Sequence, residues 1–184
     1  MIALTQTPFW FLRHGETDWN TQNLSQGNVD IPLNPTGIAQ AHLAAARLRH
    51  RGITSIVSSP LSRAHDTALI TADLLGLPVT LDEGLREVSF GAFEGQPMSD
   101  WFADWVAGHA TPEKAESFAD LGARAVDAVN RALLLPAPVL VVAHGALFRA
   151  LRAAMGLEPN VRAPNATPFW CEPGIPTWTL TEAG

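Results

Sequence analysis

Short apolar runs alternate with longer stretches of helical periodicity along this chain, and that alternation limits its fold more than any other feature. The run 139–143 (VLVVA) is the most strand-like of them. Strands that alternate with helical stretches are typical of α/β domains. At 184 residues, the chain has the length of one domain with a substantial core. We therefore predict a single α/β domain over residues 1–184.

The pattern is regular enough to assign individual elements. Strands are predicted at 8–12, 53–57, 79–81 and 139–143, and helices at 36–51, 63–75, 115–135 and 146–155. Thr36 is the expected N-cap of the first helix, and Gly52 is its expected C-terminal stop. The Pro- and Trp-rich end of the chain, from Thr167, is expected to form an edge hairpin.

The stretch from Phe90 to Thr111 departs from this pattern because glycine, proline and aromatic residues replace the helical periodicity. We interpret residues 90–112 as a lid-like insertion with one short helix. Its aromatic side chains can cover a ligand. They can equally form the core of a small subdomain, and the sequence leaves both interpretations open.

Composition excludes several classes of function. Hydrophobic residues make up 47% of the chain and charged residues 16%, which rules out global disorder. The net charge of −6 argues against nucleic acid or an anionic membrane as the main partner. A single cysteine, Cys171, cannot form an internal disulfide or a thiolate zinc site. No apolar stretch is long enough to span a membrane.

These features, together with the lack of a basic segment followed by an apolar run at the N-terminus, predict a cytoplasmic protein without a secretory signal. Trp170, Trp178 and the Pro-rich tail can pack either on the sheet edge or on a second subunit. A homodimer is therefore one expectation for assembly.

Polar residues follow three of the predicted strands directly. Arg13 and His14 come after the first strand, residues 58–63 after the second, and His144 after the strand at 139–143. Because ligands bind outside the carboxyl ends of parallel strands, these three segments are expected to converge on one pocket.

The residue types in these segments suit phosphate chemistry. An arginine fork such as that of Arg13 matches a pair of phosphate oxygens. A neutral histidine beside it, His14, can attack phosphorus, since arginine charge lowers the imidazole pKa. Gly15 allows close approach of the backbone to a ligand. Taken alone, however, this tripeptide is better explained as a surface Arg–His pair, because Arg-His-Gly occurs often by chance.

The other two segments also have two interpretations each. Arg63 lies near the start of a predicted helix, an unfavourable place for a cation unless an anion binds there. It can otherwise be an ordinary solvated arginine. His144 ends a strongly apolar strand and is either a hydrogen-bonded core histidine or a donor to a phosphoryl oxygen.

A phosphoester leaving group needs a proton as its bond breaks, and a carboxylic acid can supply it. Glu83, Glu87 and Glu94 all lie in the segment that precedes or opens the aromatic insertion. Their chemistry alone does not choose among them.

Taken together and in this order, the polar segments resemble the histidine phosphatase superfamily, the phosphoglycerate-mutase-like proteins. The resemblance runs from about residue 9 to residue 180. The matching segments are RHGETDWN at 13–20, DIPLNPTG at 30–37, SSPLSRA at 58–64, LREVSFGAFEG at 85–95, ESF at 116–118 and HGALFR at 144–149.

The resemblance implies a fold and a role for each matching residue. The fold is a three-layer α/β/α sandwich with a mostly parallel central sheet. His14 corresponds to the nucleophile that becomes phosphohistidine, and Glu87 to the proton donor. Arg13, Arg63 and His144 correspond to the residues that hold the phosphoryl oxygens. The residues expected to bind the substrate are Thr17, Asn20, Gln26 and Gly27. No metal and no other cofactor is implied.

The resemblance also has departures. The helical segment has Asp66 where the family commonly has Gln, and Ala115 and Ala146 stand where glycine is frequent. These positions include neither the nucleophile nor the arginine forks.

Within the family, we expect a phosphomonoester hydrolase that acts on a small phosphorylated metabolite. A mutase tends to carry extra basic residues after the proton donor, and residues 88–111 contain no Lys or Arg. Phosphoglycerate mutase-type transfer remains the alternative.

Two further interpretations belong to other classes. A metallohydrolase would use His14, His144, His65 or His109 with Asp66, although no closely spaced metal motif is present. A non-catalytic phosphate-binding protein on the same fold is the other.

Overall fold

Two fully buried parallel strands, β1 (Phe9–Arg13) and β4 (Val139–Ala143), form the centre of the sheet in our computed structural model, which describes residues 3–184. Full burial of both strands explains why they read as continuous apolar runs. The remaining strands are β2 (Ser55–Ser58), β3 (Val79–Leu81), β5 (Pro168–Glu172) and β6 (Thr179–Glu182). Their order across the sheet is β3-β2-β4-β1-β5-β6.

Strands β1 to β4 are mutually parallel, and β5 runs antiparallel to both of its neighbours. The predicted terminal hairpin is therefore present as β5 and β6. Trp170 in β5 packs on Trp10, with ring centroids 5.2 Å apart, and Trp178 packs on Phe9 at 5.9 Å. Both tryptophans thus lie on the sheet of their own chain. The predicted homodimer stays a prediction.

Helices cover both faces of the sheet. Successive side chains of β1 point to opposite faces and are apolar, so both faces need a covering layer. The helices are α1 (Asp18–Thr21), α2 (Pro35–Leu48), α3 (Ser62–Leu75), α4 (Asp100–Val106), α5 (Phe118–Ala132) and α6 (Gly145–Ala154). Phe9 and Phe11 pack into the core under α5 and α6, whereas Trp10 and Leu12 pack under α2 and α3. The predicted α/β/α sandwich is confirmed.

The start of helix α2 differs from the prediction. Asn34, not Thr36, is the N-cap, and its side-chain oxygen accepts a hydrogen bond from the Gly37 N–H at 2.8 Å. Pro35 then occupies the first helical position, where its missing N–H costs nothing. The helix ends at Leu48, and Gly52 lies beyond it in a turn with a φ of +71°.

The insertion at 90–112 contains a 3-10 turn (Gly91–Phe93) and helix α4. Phe102 and Trp105 of α4 are buried in the same core as α5 and α6. Trp105 meets Phe90 edge-on with ring centroids 5.2 Å apart. The aromatic side chains are therefore part of the main core.

The predicted domain also includes Met1 and Ile2, which lie outside the described residues. Within residues 3–184, no helix combines the length and the apolar character needed to cross a membrane.

The turn after β1 is packed against the start of α2 without any side chain between them. A Cβ on Gly37 would overlap the backbone carbonyl oxygen of Glu16, and a Cβ on Gly15 would overlap the Gly37 carbonyl. The Gly15 N–H also donates to Thr67 Oγ1 of α3 at 3.0 Å. Helices α2 and α3 thereby fix the backbone that follows the first strand.

We expect the substitution Gly37→Ala to lower the free energy of unfolding by about 1–3 kcal/mol, because the added methyl group must displace this backbone. Urea unfolding measures the change. Gly122→Ala is the matched control: Gly122 lies in helix α5 with nothing within 4 Å of its Cβ position. The control should be neutral or more stable by up to about 1 kcal/mol. Equal stability of the two variants would contradict the packing described here.

Candidate active site

The carboxyl ends of three adjacent strands bring the predicted residues together. Arg13 is the last residue of β1 and His14 follows it. His144 follows the neighbouring β4 and caps α6, and Arg63 lies in the first turn of α3, after β2. The His14 N–H donates to the Ala143 carbonyl at 3.0 Å, which continues the pairing of the two central strands beyond their ends. The predicted convergence of the three segments is therefore observed.

A cavity of about 320 Å³ opens at this edge of the sheet. Its lining includes four arginines and two carboxylates, an excess of positive charge that suits an anionic ligand. Of the predicted site residues, those that line it are Arg13, His14, Asn20, Gln26, Gly27, Arg63 and Glu87.

Hydrogen bonding fixes the tautomer of His14. Its Nδ1 lies 2.7 Å from the Gly15 carbonyl oxygen. Because a carbonyl oxygen only accepts, Nδ1 carries the proton and Nε2 keeps its lone pair. Burial, followed by the charges of Arg63 and Arg13, lowers the pKa of His14 well below 6.5. The side chain is thus an uncharged imidazole with Nε2 available to a ligand.

His144 lies beside His14, with ring centroids 5.3 Å apart, and is fully buried. Its Nε2 is 2.7 Å from Ser59 Oγ, whereas its Nδ1 has no partner within residues 3–184. The Leu61 N–H donates to the same Ser59 oxygen at 3.3 Å. In the tautomer in which the Ser59 hydroxyl donates to Nε2, Nδ1 carries the proton and has no acceptor among residues 3–184. His144 is not itself part of the cavity lining. Burial, and then Arg63, lowers the pKa of His144 well below 6.5.

The two arginines of the phosphate prediction are buried and held by backbone carbonyls. Arg13 Nη1 donates to the Ala163 carbonyl at 2.7 Å. Arg63 donates to the carbonyls of Gly27 and Val29 at 2.7 and 2.8 Å. In each guanidinium, Nε has no partner among the described residues.

Burial determines the charge behaviour of both guanidiniums. It lowers the pKa of Arg13 to about 9, with Arg162 as the next cause. It also lowers the pKa of Arg63 to about 10. Both side chains therefore stay cationic at neutral pH, and their Nε donors lack an acceptor within residues 3–184.

Glu87 is the carboxylate that the fold brings to this group. Its Oε2 accepts from the Ala146 N–H at 2.9 Å, and its Oε1 accepts from the Leu147 N–H at 3.0 Å. These N–H groups belong to the first turn of α6, where helix donors are free and the helix dipole favours a negative charge. The helix that begins after His144 thus holds Glu87 at the cavity.

The two competing carboxylates lie elsewhere. Glu83 is exposed and forms an ion pair with Arg86. Glu94 Oε1 accepts from the N–H groups of Phe90 and Asn28, and so joins two loops. Neither lines the cavity.

The predicted substrate-binding residues divide into two groups. Thr17 is fully buried, and its hydroxyl lies 3.0 Å from Gln26 Oε1 and 3.2 Å from Asn20 Oδ1. Since the hydroxyl has one proton, it satisfies one of these oxygens, and the Thr17 backbone N–H donates to Asn20 Oδ1 at 3.1 Å. Both amide oxygens therefore have a donor, which leaves the NH₂ groups for the cavity. Gly27 contributes the carbonyl that holds Arg63. Thr17 therefore orients the two amides from behind.

Sequence reasoning assigned no role to Arg149 and Arg162, which line the cavity, and it also missed Ser59 and Asn165. Asn165 donates to the His14 carbonyl at 3.0 Å and to Asn20 Oδ1 at 3.1 Å, and so ties a C-terminal loop to the first motif. Ser59 orients His144 as described above. Ser59 belongs to the SSPLSRA segment, and its position directly after β2 is the sequence signal that could have identified it. Asn165 lies in irregular chain, where no motif or periodicity indicates its position.

The metallohydrolase alternative gains no support from side-chain positions. Among residues 3–184, no group of three or more His, Cys, Asp or Glu side chains is arranged to hold a metal ion.

Fold and site together define an α/β sandwich that holds two uncharged imidazoles between buried arginines at the carboxyl edge of its sheet. The model of the histidine phosphatase superfamily (branch 1) matches residues 9–166. The chain belongs to this superfamily, as the sequence motifs predicted.

The chain is similar to both phosphatases and mutases. A probable phosphoglycerate mutase of Yersinia enterocolitica is 41% identical over 164 residues, 82% of this chain and 76% of the relative. A mycobacterial glucosyl-3-phosphoglycerate phosphatase, solved with VO3, has a TM-score of 0.83 and 33% identity over 95% of this chain and 97% of the other.

A phosphoserine phosphatase from Entamoeba histolytica, solved with 3-phosphoglyceric acid, has a TM-score of 0.81 and 25% identity, covering 96% of each chain. The predicted enzyme class, a phosphatase of the histidine phosphatase superfamily, is confirmed by these similarities. The mutase alternative fits the name of the curated relative.

The uncharged state of His14 has a consequence for stability. In the unfolded chain, histidine binds a proton near pH 6.5, whereas burial keeps His14 unprotonated well below that pH. The unfolded state therefore binds more protons as the pH falls, and the free energy of unfolding decreases by up to about 1.4 kcal/mol per pH unit for this group. We expect His14→Asn to show a shallower loss of stability between about pH 6.5 and 5 in urea unfolding. Parallel curves for variant and wild type would contradict a neutral, buried His14.

Proposed function

We propose that this chain hydrolyses small phosphomonoesters by transferring the phosphoryl group first to His14 Nε2 and then to water. The observation that carries the proposal is the hydrogen bond between His14 Nδ1 and the Gly15 carbonyl, because it leaves Nε2 as the nucleophilic nitrogen. The low imidazole pKa keeps that nitrogen unprotonated at neutral pH.

The unpaired donors around His14 supply the sites for the phosphoryl oxygens. Arg13 Nε, Arg63 Nε and His144 Nδ1 are buried without partners among residues 3–184. A buried polar group without a partner costs about 1–3 kcal/mol, which an anion at this position would relieve. The NH₂ groups of Asn20 and Gln26 add neutral donors. Phosphoryl transfer depends mainly on such positioning and charge stabilisation.

Two steps balance the reaction. In the first, the bond from His14 Nε2 to phosphorus forms, the ester P–O bond breaks, and protonated Glu87 donates its proton to the leaving alkoxide. In the second, the Glu87 carboxylate accepts a proton from water, whose oxygen bonds to phosphorus as the P–N bond breaks. The N–H groups of Ala146 and Leu147 stabilise the carboxylate in the interval between the two steps.

The choice between hydrolase and mutase rests on what receives the phosphoryl group. The prediction used the lack of cations in residues 88–111, and that segment indeed brings none to the cavity. Arg149 and Arg162 nevertheless line the same cavity from other parts of the chain. The lack of cations in residues 88–111 therefore does not by itself exclude a mutase, although the structural relatives support a phosphatase.

The setting of the reaction is part of the proposal. We place it in the cytoplasm, with a small phosphorylated metabolite as partner and with neither nucleic acid nor a membrane. The net charge of −6 argues against nucleic acid or an anionic membrane as the partner. Cys171, the single cysteine, is buried, and burial raises the pKa of its thiol.

We expect wild-type protein to hydrolyse para-nitrophenyl phosphate and His14→Ala to lose this activity by at least about 10³-fold. Rapid acid-free quenching with a radiolabelled phosphoester should trap label on the wild type, labile in acid and stable in base as a phosphoramidate is. His42→Ala is the control, because His42 is exposed on α2. Retained turnover in His14→Ala, or label on another residue, would refute the assignment.

Glu87→Gln separates the two roles of the carboxylate. With an alkyl phosphate the first step needs its proton, so we expect turnover to fall by about 10²–10⁴-fold. Para-nitrophenolate departs without protonation, so this substrate should give a burst of one equivalent followed by slow hydrolysis of phosphohistidine. Glu83→Gln is the matched control outside the cavity. A burst-free loss that is equal for both substrates would exclude proton donation by Glu87.

A further inference from the structure

The segment ESF at 116–118 has no part in the chemistry described so far. Its glutamate, Glu116, forms a partly buried ion pair with Arg124 of α5. Arg124 Nε donates to Glu116 Oε1 at 2.8 Å, and Arg124 Nη2 donates to Glu116 Oε2 at 2.6 Å. Two parallel charged hydrogen bonds of this kind are both strong and directional. The carboxylate therefore fixes the orientation of the Arg124 guanidinium.

The remaining nitrogen of this guanidinium, Arg124 Nη1, holds the backbone that leads into Glu87. It donates to the carbonyl oxygens of Gly84 and Arg86, each at 2.8 Å. The Arg86 carbonyl and the Glu87 N–H belong to one planar peptide group. By binding that carbonyl, Arg124 fixes the peptide plane from which the Cα of Glu87 projects.

The other half of the ion pair holds the backbone that leaves Glu87. The Glu116 N–H donates to the Ser89 carbonyl at 2.8 Å. The Glu116 carbonyl in turn accepts from Trp105 Nε1 at 2.9 Å, and Trp105 is buried in the core. The chain on both sides of Glu87 is therefore attached to one ion pair, which is itself attached to α5 and to the core.

Glu87 needs these contacts because residues 87–90 belong to neither a helix nor a strand. Its carboxylate is bound at the start of α6, and the ion pair supplies the second attachment, at the backbone. A displacement of about 1 Å in a reacting group can cost about 10²-fold in rate. Neither Arg124 nor Glu116 lines the cavity that residues 3–184 form. Any effect of the pair on the reaction therefore passes through Glu87.

We propose that Arg124, oriented by Glu116, is a positioning residue that places Glu87 for proton transfer to the leaving group. This inference rests on the proposed function and adds two residues to it. The pair has no net charge, so its contribution is geometric. An ion pair that only stabilises the fold would leave the relative rates for different leaving groups unchanged.

The substitution Arg124→Gln removes the fork. We expect kcat/KM to fall by about 10–100-fold for glycerol 3-phosphate, whose alkoxide needs a proton, and to stay within about threefold for para-nitrophenyl phosphate. For the latter substrate, kcat/KM covers only the steps up to departure of para-nitrophenolate, which needs no proton. The ratio of the two values in one preparation does not depend on the fraction of protein that is folded. An equal loss on both substrates would overturn the proposal.

A double-mutant cycle with Glu87→Gln tests the route of the effect. Once Glu87 cannot donate a proton, adding Arg124→Gln should lower kcat/KM for glycerol 3-phosphate by no more than about threefold, because both changes remove the same contribution. Losses that multiply would show that Arg124 acts independently of Glu87, and the proposal would then be wrong.

Arg131→Gln is the matched control. Arg131 lies on the same helix and pairs with the side chain of Asp82, upstream of Glu87 in the same loop. This variant loses the same charge and an ion pair to the same loop, and we expect its ratio of kcat/KM values to equal that of the wild type. A shift as large as that of Arg124→Gln would indicate general loosening of the loop and overturn the positioning role.

The same measurements separate this inference from the proposed function. A wild type that does not hydrolyse para-nitrophenyl phosphate would refute the proposed function and the positioning role with it. An active wild type whose substrate ratio is unchanged by Arg124→Gln would refute the positioning role alone.

Discussion

The hydrogen bond between His14 Nδ1 and the Gly15 carbonyl decides which nitrogen of the ring keeps its lone pair, and the phosphoryl transfer that we propose depends on it. The carbonyl is fixed by backbone packing: Gly15 lies directly against Gly37 at the start of α2, and its N–H donates to Thr67 of α3. Both helices lie on the face of the sheet that α5 and α6 do not cover. One face of the sandwich therefore sets the tautomer of His14, while the other face, through α6, positions His144 and Glu87.

Around that imidazole, the fold holds cations that form no ion pair within the part of the chain that the structure describes. Arg13 and Arg63 are buried, and backbone carbonyls satisfy the ends of their guanidiniums but carry no formal charge. Glu87 is held by the N-terminus of α6 rather than by either arginine. Such an arrangement lowers the stability of the free protein. For the phosphoryl transfer that we propose, it also means that these positive charges are in place before a substrate arrives, so that the transfer needs no reorganisation of the site.

The sequence predicted the parts of the site that follow strands. His14 and His144 lie directly after apolar runs, and parallel topology brings strand ends to one edge, so their convergence followed from periodicity alone. Glu87 needed the family resemblance, because three glutamates had equal chemistry and only the fold shows which one meets α6. Arg162 and Asn165 lie in irregular chain between α6 and β5, where no periodicity indicates position. Their place beside the first motif is a property of the tertiary fold.

The aromatic insertion at 90–112 lies where the cavity wall meets the main core. From the sequence, the aromatic side chains could form either a lid or part of a core. In the structure, Phe102 lines the cavity and is also buried with Trp105 in the core. Moving α4 away from the cavity would expose both side chains, at about 1.5–3 kcal/mol for each large apolar residue. The wall that Phe102 forms is therefore part of the main core. Selection among phosphomonoesters therefore depends on side chains that are already in place around the cavity. Replacing single side chains at this wall is a more direct route to altered specificity than loosening the segment 90–112 that carries them.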